Sequence, residues 1–231
     1  MRCIVTAGPT FEPLDRVRRL TNFSTGRLGT ELANYLAERG HQVTLLVGAQ
    51  ATWPGPRLAG RVVVFTTGAD LARKLRARSG QRVDALFHAA AVGDFAFGRI
   101  WRQTAAGRQP IRSPKLSTRQ GSLLIELVPT PKILPQLRGW FPRACVVGWK
   151  YEVAGGARRA VALAVRQIQE SGSHACVANG PACGKGFVLV RSRDETRRVV
   201  GKRTLFSALE RLAGTASRPA RPSRRGVPPA A

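Results

Sequence analysis

The apolar residues of the chain fall into two kinds of segment: short continuous runs, and longer stretches in which they recur every three or four positions. The first half contains four runs of strand length, Arg2 to Gly8, His41 to Val47, Arg61 to Thr66 and Val83 to His88. Two longer stretches, Arg27 to Arg39 and Ala69 to Arg78, are predicted helices, and each is soon followed by a glycine. This alternation predicts an α/β fold, Rossmann-like, with a mostly parallel sheet and helices on both of its faces.

The second half continues the pattern less regularly. Gly98 to Thr118 has little periodicity, so we expect a long surface loop there. Pro131 is expected to open a short helix. Further strands are predicted at Leu123 to Val128, Ala144 to Trp149, Ala175 to Ala178 and Phe187 to Arg191, and further helices at Gly156 to Glu170 and Thr204 to Leu212. From Gly214 onward little can be buried, which predicts one domain over residues 1–213 and a disordered basic tail over 214–231.

The charge is the most unusual feature of the composition. The chain carries 38 Lys and Arg against 13 Asp and Glu, a formal net charge of +25 at pH 7. Such an excess suggests either a nucleic-acid partner or a site for anionic metabolites. The arginines are spread through helices and loops, with no aromatic-interleaved stripe and no helix-turn-helix pattern, which argues against nucleic acid as the partner.

The apolar runs also bear on location. None approaches the roughly 20 residues needed to cross a bilayer, and the segment after Met1 lacks a secretory apolar region. We therefore expect no membrane span and a cytoplasmic protein.

The cysteines and histidines do not indicate a metal site. The four cysteines form no C-x-x-C pair, and the three histidines are scattered singly. Cys3, Cys145 and Cys176 lie in apolar strand-like runs, where a thiol is usually a small buried hydrophobe. Cys183 lies in a predicted loop, and the sequence leaves its state open.

Two glycine-containing segments follow predicted strands or precede predicted helices. Thr6 to Thr10 leaves the first strand, and Gly8 would let the backbone approach a ligand closely, although the segment also fits an ordinary tight turn. It is not a G-x-G-x-x-G fingerprint, and no acidic residue ends the second strand, which disfavours dinucleotide redox chemistry. Asn22 to Gly29 leads into a helix whose free N–H groups suit a phosphate or carboxylate. Alternatively, Ser24 or Thr25 is only a helix cap.

Two further segments carry candidate polar side chains. Ala89 to Asp94 follows the fourth strand with small residues that leave room for a ligand at the same sheet edge. Asp94 could meet a ribose, a base or a metal, or simply start a turn. Lys115 stands alone in the long loop, where a solvated surface lysine is the ordinary explanation.

Together these segments resemble the phosphopantothenoylcysteine synthetase family, over about residues 1 to 212. The most specific stretch runs from Thr6 to Asp15, through Val17 and Arg18, to Thr21 to Gly29. The motifs continue in order with Ala89 to Asp94, Lys115, Pro129 to Leu134, Gly148 to Glu152 and Val177 to Asn179.

The resemblance implies a ligase that joins 4′-phosphopantothenate to cysteine through an acyl nucleotide, with CTP or ATP and Mg²⁺. It also implies a homodimer with sites drawn from both chains. The flavin-binding half of bifunctional relatives is absent from this sequence, so no FMN is expected. The implied substrate-binding residues are Arg18, Asn22 and Ala90. The implied nucleotide-binding residues are Gly8, Asp94, Lys115, Pro131, Lys132, Ile133, Leu134 and Trp149. Mechanism selects Asn22 and Lys115 as the catalytic pair.

The chain departs from the family pattern on the triphosphate side. Trp149 stands where the family has Phe, and Gln167 and Ser171 stand nearest the positions where the family carries lysines. Arg166, Lys132 or Lys150 could compensate. These departures motivate an alternative from another class, a nucleotide- or phosphopantothenate-binding regulatory protein of the same fold without ligase activity. The choice between CTP and ATP, the oligomeric state and the role of the tail stay open.

Overall fold

A computed structural model describes residues 1–117, 119 and 121–216 of the chain. Its strands, in chain order, are β1 (Arg2–Ala7), β2 (Phe11–Pro13), β3 (Arg19–Thr21), β4 (Gln42–Gly48), β5 (Arg61–Phe65), β6 (Ala85–His88), β7 (Phe95–Thr104), β8 (Gly107–Pro110), β9 (Leu123–Pro129), β10 (Cys145–Tyr151), β11 (Ala175–Asn179), β12 (Phe187–Val190) and β13 (Thr196–Val199). Its helices are α1 (Arg27–Glu38), α2 (Gly68–Arg76), α3 (Leu134–Trp140), α4 (Gly156–Ser171) and α5 (Lys202–Ala216).

An eight-stranded sheet forms the centre, in the order β13-β12-β11-β10-β6-β1-β4-β5. The pairs from β11 to β5 are all parallel, and β12 and β13 add an antiparallel edge. The predicted mostly parallel sheet is therefore confirmed. The inner parallel strands are buried along nearly their whole length, which is why they are continuous apolar runs in the sequence.

Helices cover both faces of this sheet, as predicted. Along β1, Val5 packs with α1 and α5, whereas its neighbour Ile4 packs with α2 and α3. The alternation follows from the two-residue period of a strand. Further along the sheet, Ala160 and Ala164 of α4 cover β11 and β12.

The predicted surface loop over Gly98 to Thr118 is wrong for its first part, because β7 and β8 pair there with each other and with β9 in a separate three-stranded antiparallel sheet. This sheet lies outside the main core, so its strands do not form continuous apolar runs. A register shift between Phe97 and Ile100 further disturbs the alternation. The β2–β3 hairpin and the edge strand β13, both short and exposed, were also not predicted.

Two helix boundaries differ from the prediction. Helix α3 begins at Leu134 and carries Pro135 in its first turn, so Pro131 precedes the helix instead of opening it. Helix α5 extends to Ala216, which makes residues 214–216 of the predicted tail helical. The remainder of the predicted tail, 217–231, lies outside the described residues.

All four cysteines are buried and free, including Cys183, whose loop contains a short 3-10 turn. Burial raises the pKa of Cys3 and Cys176 to about 12 and that of Cys145 to about 11, and it raises the pKa of Cys183 as well. The buried state predicted for the three strand cysteines is confirmed. Across the described part of the chain, no helix is long and apolar enough to cross a membrane.

Candidate functional site

An open cleft of about 1250 Å³ lies at the carboxyl ends of β6, β10 and β11. Strand β1 pairs with β4 on one side and β6 on the other, so the cleft lies where the strand order reverses, the usual ligand site of an open parallel sheet. Its walls come from the segment before α1, the segment after β6, the start of α3, the end of β10 and the inner side of α4.

The start of α1 forms one wall of the cleft. Gly26, with a φ of 80° and no side-chain cap, occupies the cap position that was expected for Ser24 or Thr25. Thr25 still contributes, because its Oγ1 accepts the N–H of Arg27 at 3.4 Å. A Cβ at Gly29 would lie 2.7 Å from that of Ala7, which shows how closely the helix packs on β1. The remaining backbone N–H groups of the first turn are left for an anion in the cleft.

Two predicted substrate residues meet on the next wall. Asn22 lines the cleft and its Nδ2 donates to the carbonyl of Ala91 at 3.2 Å. The N–H of Ala90, which also lines the cleft, donates to Oγ1 of Thr6 at 3.1 Å. The structure thus brings Asn22 and Ala90 together as the resemblance implies.

Gly8 lies behind this wall and does not line the cleft. Its φ is 80°, and a Cβ there would approach that of Ala51 to 2.8 Å. A Cβ at Gly26 would approach the same methyl group to 2.9 Å. The requirement for glycine at position 8 therefore comes from backbone packing between the β1 turn and the start of α1, and direct nucleotide contact by Gly8 stays a prediction.

Most predicted nucleotide residues line the cleft, and Leu134 and Ala90 pack against the same apolar cluster. Ile133, Leu134 and Trp149 line the cleft, whereas Pro131 is exposed and outside it. Lys132 and Asp94 also line the cleft, and their side chains form an ion pair. The carboxylate of Asp94 is therefore already paired with the ammonium group of Lys132.

Arg18 and Lys115 do not line this cleft. Arg18 lies at a second, smaller pocket, where it forms an ion pair with Asp15 at 2.6 Å and donates to the carbonyl of Leu116 at 2.7 Å. Lys115 is exposed on the neighbouring loop. The structure thus groups Arg18 with the Lys115 loop and separates both from Asn22.

Among the residues that the structure describes, five cationic side chains line the cleft, and each has a carboxylate partner. Besides the Lys132 pair, these are Arg166 with Glu170 at 2.6 Å, Lys150 with Glu152 at 3.5 Å, and Lys202 and Arg27, which share Glu31 at 2.6 and 2.7 Å. Sequence reasoning named neither Lys202, which no local pattern marks, nor Arg27, although Arg27 lies inside the Asn22 to Gly29 segment. Burial of Glu31 raises its pKa, but hydrogen bonds from Lys202 and Arg27 outweigh burial and leave the pKa below its usual value.

Gln167 and Ser171, which were expected to lie nearest the lysine positions of the resembled family, are engaged in internal hydrogen bonds. Gln167 donates through Nε2 to the carbonyl of Trp149 at 3.3 Å, and Ser171 donates to the carbonyl of Gln167 at 2.6 Å. Both line the cleft. The α4 wall is therefore neutral at these two positions, and its charged side chains are the paired Arg166 and Glu170.

His88 is a cleft residue that the sequence did not single out. It ends β6, is only 6% exposed, and places Nδ1 2.9 Å from Oγ1 of Thr6. Burial lowers its pKa to about 4, so the ring is neutral at neutral pH. The one available signal was a polar residue at the end of an apolar run, immediately before Ala89.

Comparison with known proteins supports the motif-based resemblance. A model of the family described as the DNA/pantothenate metabolism flavoprotein C-terminal domain matches residues 1–199. The chain is 30% identical over 179 residues to a protein named coenzyme A biosynthesis bifunctional protein CoaBC from Thermococcus kodakarensis, which covers 77% of this chain and 41% of that protein. Its identity to the Escherichia coli K12 protein of the same name is 34% over 134 residues, which covers 58% of this chain and 30% of that protein.

The chain thus spans less than half the length of these curated relatives. A crystal structure described as the DNA/pantothenate metabolism flavoprotein from Streptococcus pneumoniae shares its fold. The TM-score is 0.80 at 23% identity, over 93% of this chain and 99% of the other.

Proposed function

The chain belongs to the DNA/pantothenate metabolism flavoprotein C-terminal domain family, and on that basis we propose that it is a ligase joining 4′-phosphopantothenate to cysteine in coenzyme A biosynthesis. The observation that carries the proposal is the convergence of its motif segments. Residues from Asn22 to Gly29, Ala89 to Asp94 and Lys132 to Leu134 come from distant parts of the sequence and line one cleft. A match across residues 1–199 supports the same assignment.

The proposed reaction has two steps. In the first, a carboxylate oxygen of phosphopantothenate attacks the α-phosphorus of CTP or ATP, the bond to the β-phosphate breaks, and pyrophosphate leaves. In the second, the amine of cysteine attacks the acyl carbonyl, the nucleoside monophosphate leaves with the bonding electron pair, and the amine loses a proton. Each step must bring an anionic or electron-rich group to an electrophile that carries negative oxygens, so positioned donors are required.

Asn22 is suited to orient the acyl group. One N–H of its amide is held by the Ala91 carbonyl, which leaves the second for the carboxylate or carbonyl oxygen of the substrate. The nearby start of α1, where Thr25 binds only the N–H of Arg27, adds further backbone donors for the same anion. We assign phosphopantothenate to this wall of the cleft.

The nucleotide is assigned to the part of the cleft formed by Lys132 to Leu134 and Trp149. Arg166 and Lys150 are the candidates to replace the absent family lysines near the phosphates. Among the described residues, no three histidine, cysteine or carboxylate side chains form a group able to hold a metal ion. Mg²⁺ would therefore enter bound to the triphosphate, where it would neutralise phosphate charge.

Lys115 requires either closure of its loop or a second chain to reach the cleft. A homodimer is supported by exposed apolar side chains of the three-stranded sheet, Leu124 and Val128 on one face and Phe95 and Leu127 on the other. Contact of a partner with either face would remove one of these pairs from water. The resemblance to a family with shared sites agrees with that arrangement.

The decisive experiment measures pyrophosphate release with phosphopantothenate, cysteine and Mg²⁺, with CTP and ATP supplied separately. We expect release that requires phosphopantothenate and a product that incorporates cysteine. No release with either nucleotide, together with nucleotide binding by equilibrium dialysis, would instead support the regulatory protein. That alternative is favoured by Gln167 and Ser171, which lack the charge of the family's lysines.

A further inference from the structure

We propose that His88 is an additional nucleotide-binding residue, whose ring is fixed by Thr6 so that its Nε2–H faces the cleft and donates to a phosphate oxygen of the bound nucleoside triphosphate. This inference rests on the proposed function for its ligand. The orientation of the ring, however, follows from the structure alone and can be tested separately.

The hydroxyl of Thr6 determines which nitrogen of His88 carries the proton. Thr6 is fully buried and is the register partner of His88 on the neighbouring strand. Its Oγ1 already accepts the N–H of Ala90 at 3.1 Å, and within the described part of the chain the only acceptor available to its own proton is Nδ1 of His88, at 2.9 Å. The hydroxyl therefore donates to Nδ1, and the neutral ring keeps its proton on Nε2.

The free edge of the ring lies on the nucleotide side of the cleft. His88 pairs in register with Gly148 on β10. A Cβ at Gly148 would come within 2.7 Å of Nε2 of Gln167 and 2.8 Å of Leu134. These two residues thus pack over the strands at the level of His88, and all three line the cleft.

A neutral N–H donor fits the chemistry of this wall. Gln167 and Ser171 supply no positive charge near the positions where the family carries lysines. Neutral hydrogen-bond donors in fixed positions must therefore contribute more of the affinity for the nucleotide phosphates. A hydrogen bond from a neutral donor to a charged oxygen is among the stronger ones, worth about tenfold or more in affinity. Loss of the His88 donor should therefore be measurable at the nucleotide and not at phosphopantothenate.

The orientation is tested by ¹⁵N NMR of the histidine rings in the full chain, with His88 assigned by comparison with the His88→Gln variant. We expect the Nε2–H form in the free protein and a shift of the Nε2 signal on addition of tripolyphosphate, CTP or ATP. A proton on Nδ1, or signals that none of the three ligands moves, would overturn the inference. This measurement needs no catalysis, so a failed pyrophosphate assay with a shifted Nε2 signal would reject the ligase and leave the inference standing.

The binding role is tested by His88→Leu, with His41→Gln as a histidine control outside the cleft. We expect Kd and KM for the nucleoside triphosphate to rise about tenfold or more in His88→Leu, while kcat and the KM of phosphopantothenate change less than about twofold. His88→Gln, which keeps an N–H donor, should recover part of the affinity. An active enzyme whose His88→Leu variant binds nucleotide normally would contradict the assignment, as would one that weakens phosphopantothenate instead.

Discussion

The carboxylate of Asp15 accepts the backbone N–H of Leu116 at 3.1 Å, which fastens the loop that carries Lys115 to the turn between β2 and β3. The same carboxylate pairs with Arg18, and Arg18 donates back to the carbonyl of Leu116. The Arg18 hydrogen bond, together with backbone N–H groups, holds the pKa of Asp15 well below its usual range. Arg18 and the Lys115 loop therefore form one unit built around an anionic side chain.

The first prediction is that Asp15→Asn loosens this unit. The new side-chain amide would direct an N–H donor toward Arg18 and would lack the negative charge that binds Arg18. The backbone N–H of Leu116 should therefore exchange its hydrogen with solvent faster, by about tenfold or more. Exchange measured residue by residue reports this directly. Asp194→Asn, at an exposed position, is the control, and unchanged exchange at Leu116 in Asp15→Asn would show that Arg18 alone holds the loop.

The second prediction separates Lys115 from Asn22 by reaction stage. Lys115→Gln should slow formation of the acyl nucleotide, because it removes a cation that offsets repulsion between two anions. Asn22→Asp should still form some acyl nucleotide but transfer it poorly to cysteine, because the carboxylate cannot donate to the acyl oxygen. Rapid quench with labelled nucleotide measures both stages, and near-normal single-turnover rates in the two variants would contradict the assignment.

The third prediction concerns the triphosphate side of the cleft. If Arg166 compensates for the absent lysines, Arg166→Ala should raise the nucleotide KM severalfold with less effect on kcat. Glu170→Gln is the matched test, because Glu170 engages Arg166 at 2.6 Å and its neutralisation frees that cation. The nucleotide KM should fall in Glu170→Gln. Lys132→Ala probes the second candidate, and a KM unchanged in all three variants would remove the idea of compensation.

The fourth prediction is a pH dependence of stability due to His88. Its pKa is about 4 in the folded protein against 6.5 for an ordinary histidine. Between these values the unfolded chain binds more protons, so the free energy of unfolding falls as the pH falls from 6.5 towards 4. Through His88 alone, the free energy of unfolding should fall by about 2 kcal/mol between pH 7 and pH 5.

Urea unfolding of wild type and His88→Gln at pH 7 and pH 5 tests this contribution. His174 also has a lowered pKa, caused first by burial and then by nearby arginines, so wild type and variant share its effect. We expect a smaller loss of stability at pH 5 in His88→Gln than in wild type. Equal losses in the two proteins would show that His88 titrates normally.

The fifth prediction places the end of the folded unit after Ala216. Removal of residues 217–231 should leave the melting temperature and ligase turnover unchanged, because the sequence of this segment offers little apolar surface to bury. Removal of the chain from Leu209 onward should unfold the protein, because Leu209 is a residue of α5 that is fully buried in the hydrophobic core. Thermal unfolding of both truncated proteins distinguishes the two segments.

Sequence reasoning predicted the central sheet well because each inner strand buries both faces, and therefore carries a local apolar signal. Strands β7 and β8 lack that signal, since their partners are other strands of an outlying sheet. The same distinction applies to the site. Ala90 and Trp149 converge because they lie just after β6 and near the end of its neighbour β10. The positions of Arg18 and Lys115 depend instead on the bond between Asp15 and Leu116, which no local pattern reveals.

Gly8 and Gly26 pack against the methyl group of Ala51, so the backbone contacts that shape the cleft are distinct from the side chains that line it. Main-chain atoms and one small side chain fix the distance between the β1 turn and the start of α1. The side chains that face the ligand take no part in setting it. Residues such as Trp149, Gln167 and Ser171 can thus differ from those of relatives while the walls keep their spacing. Single substitutions of lining residues can consequently change which ligand binds without moving the backbone around the cleft.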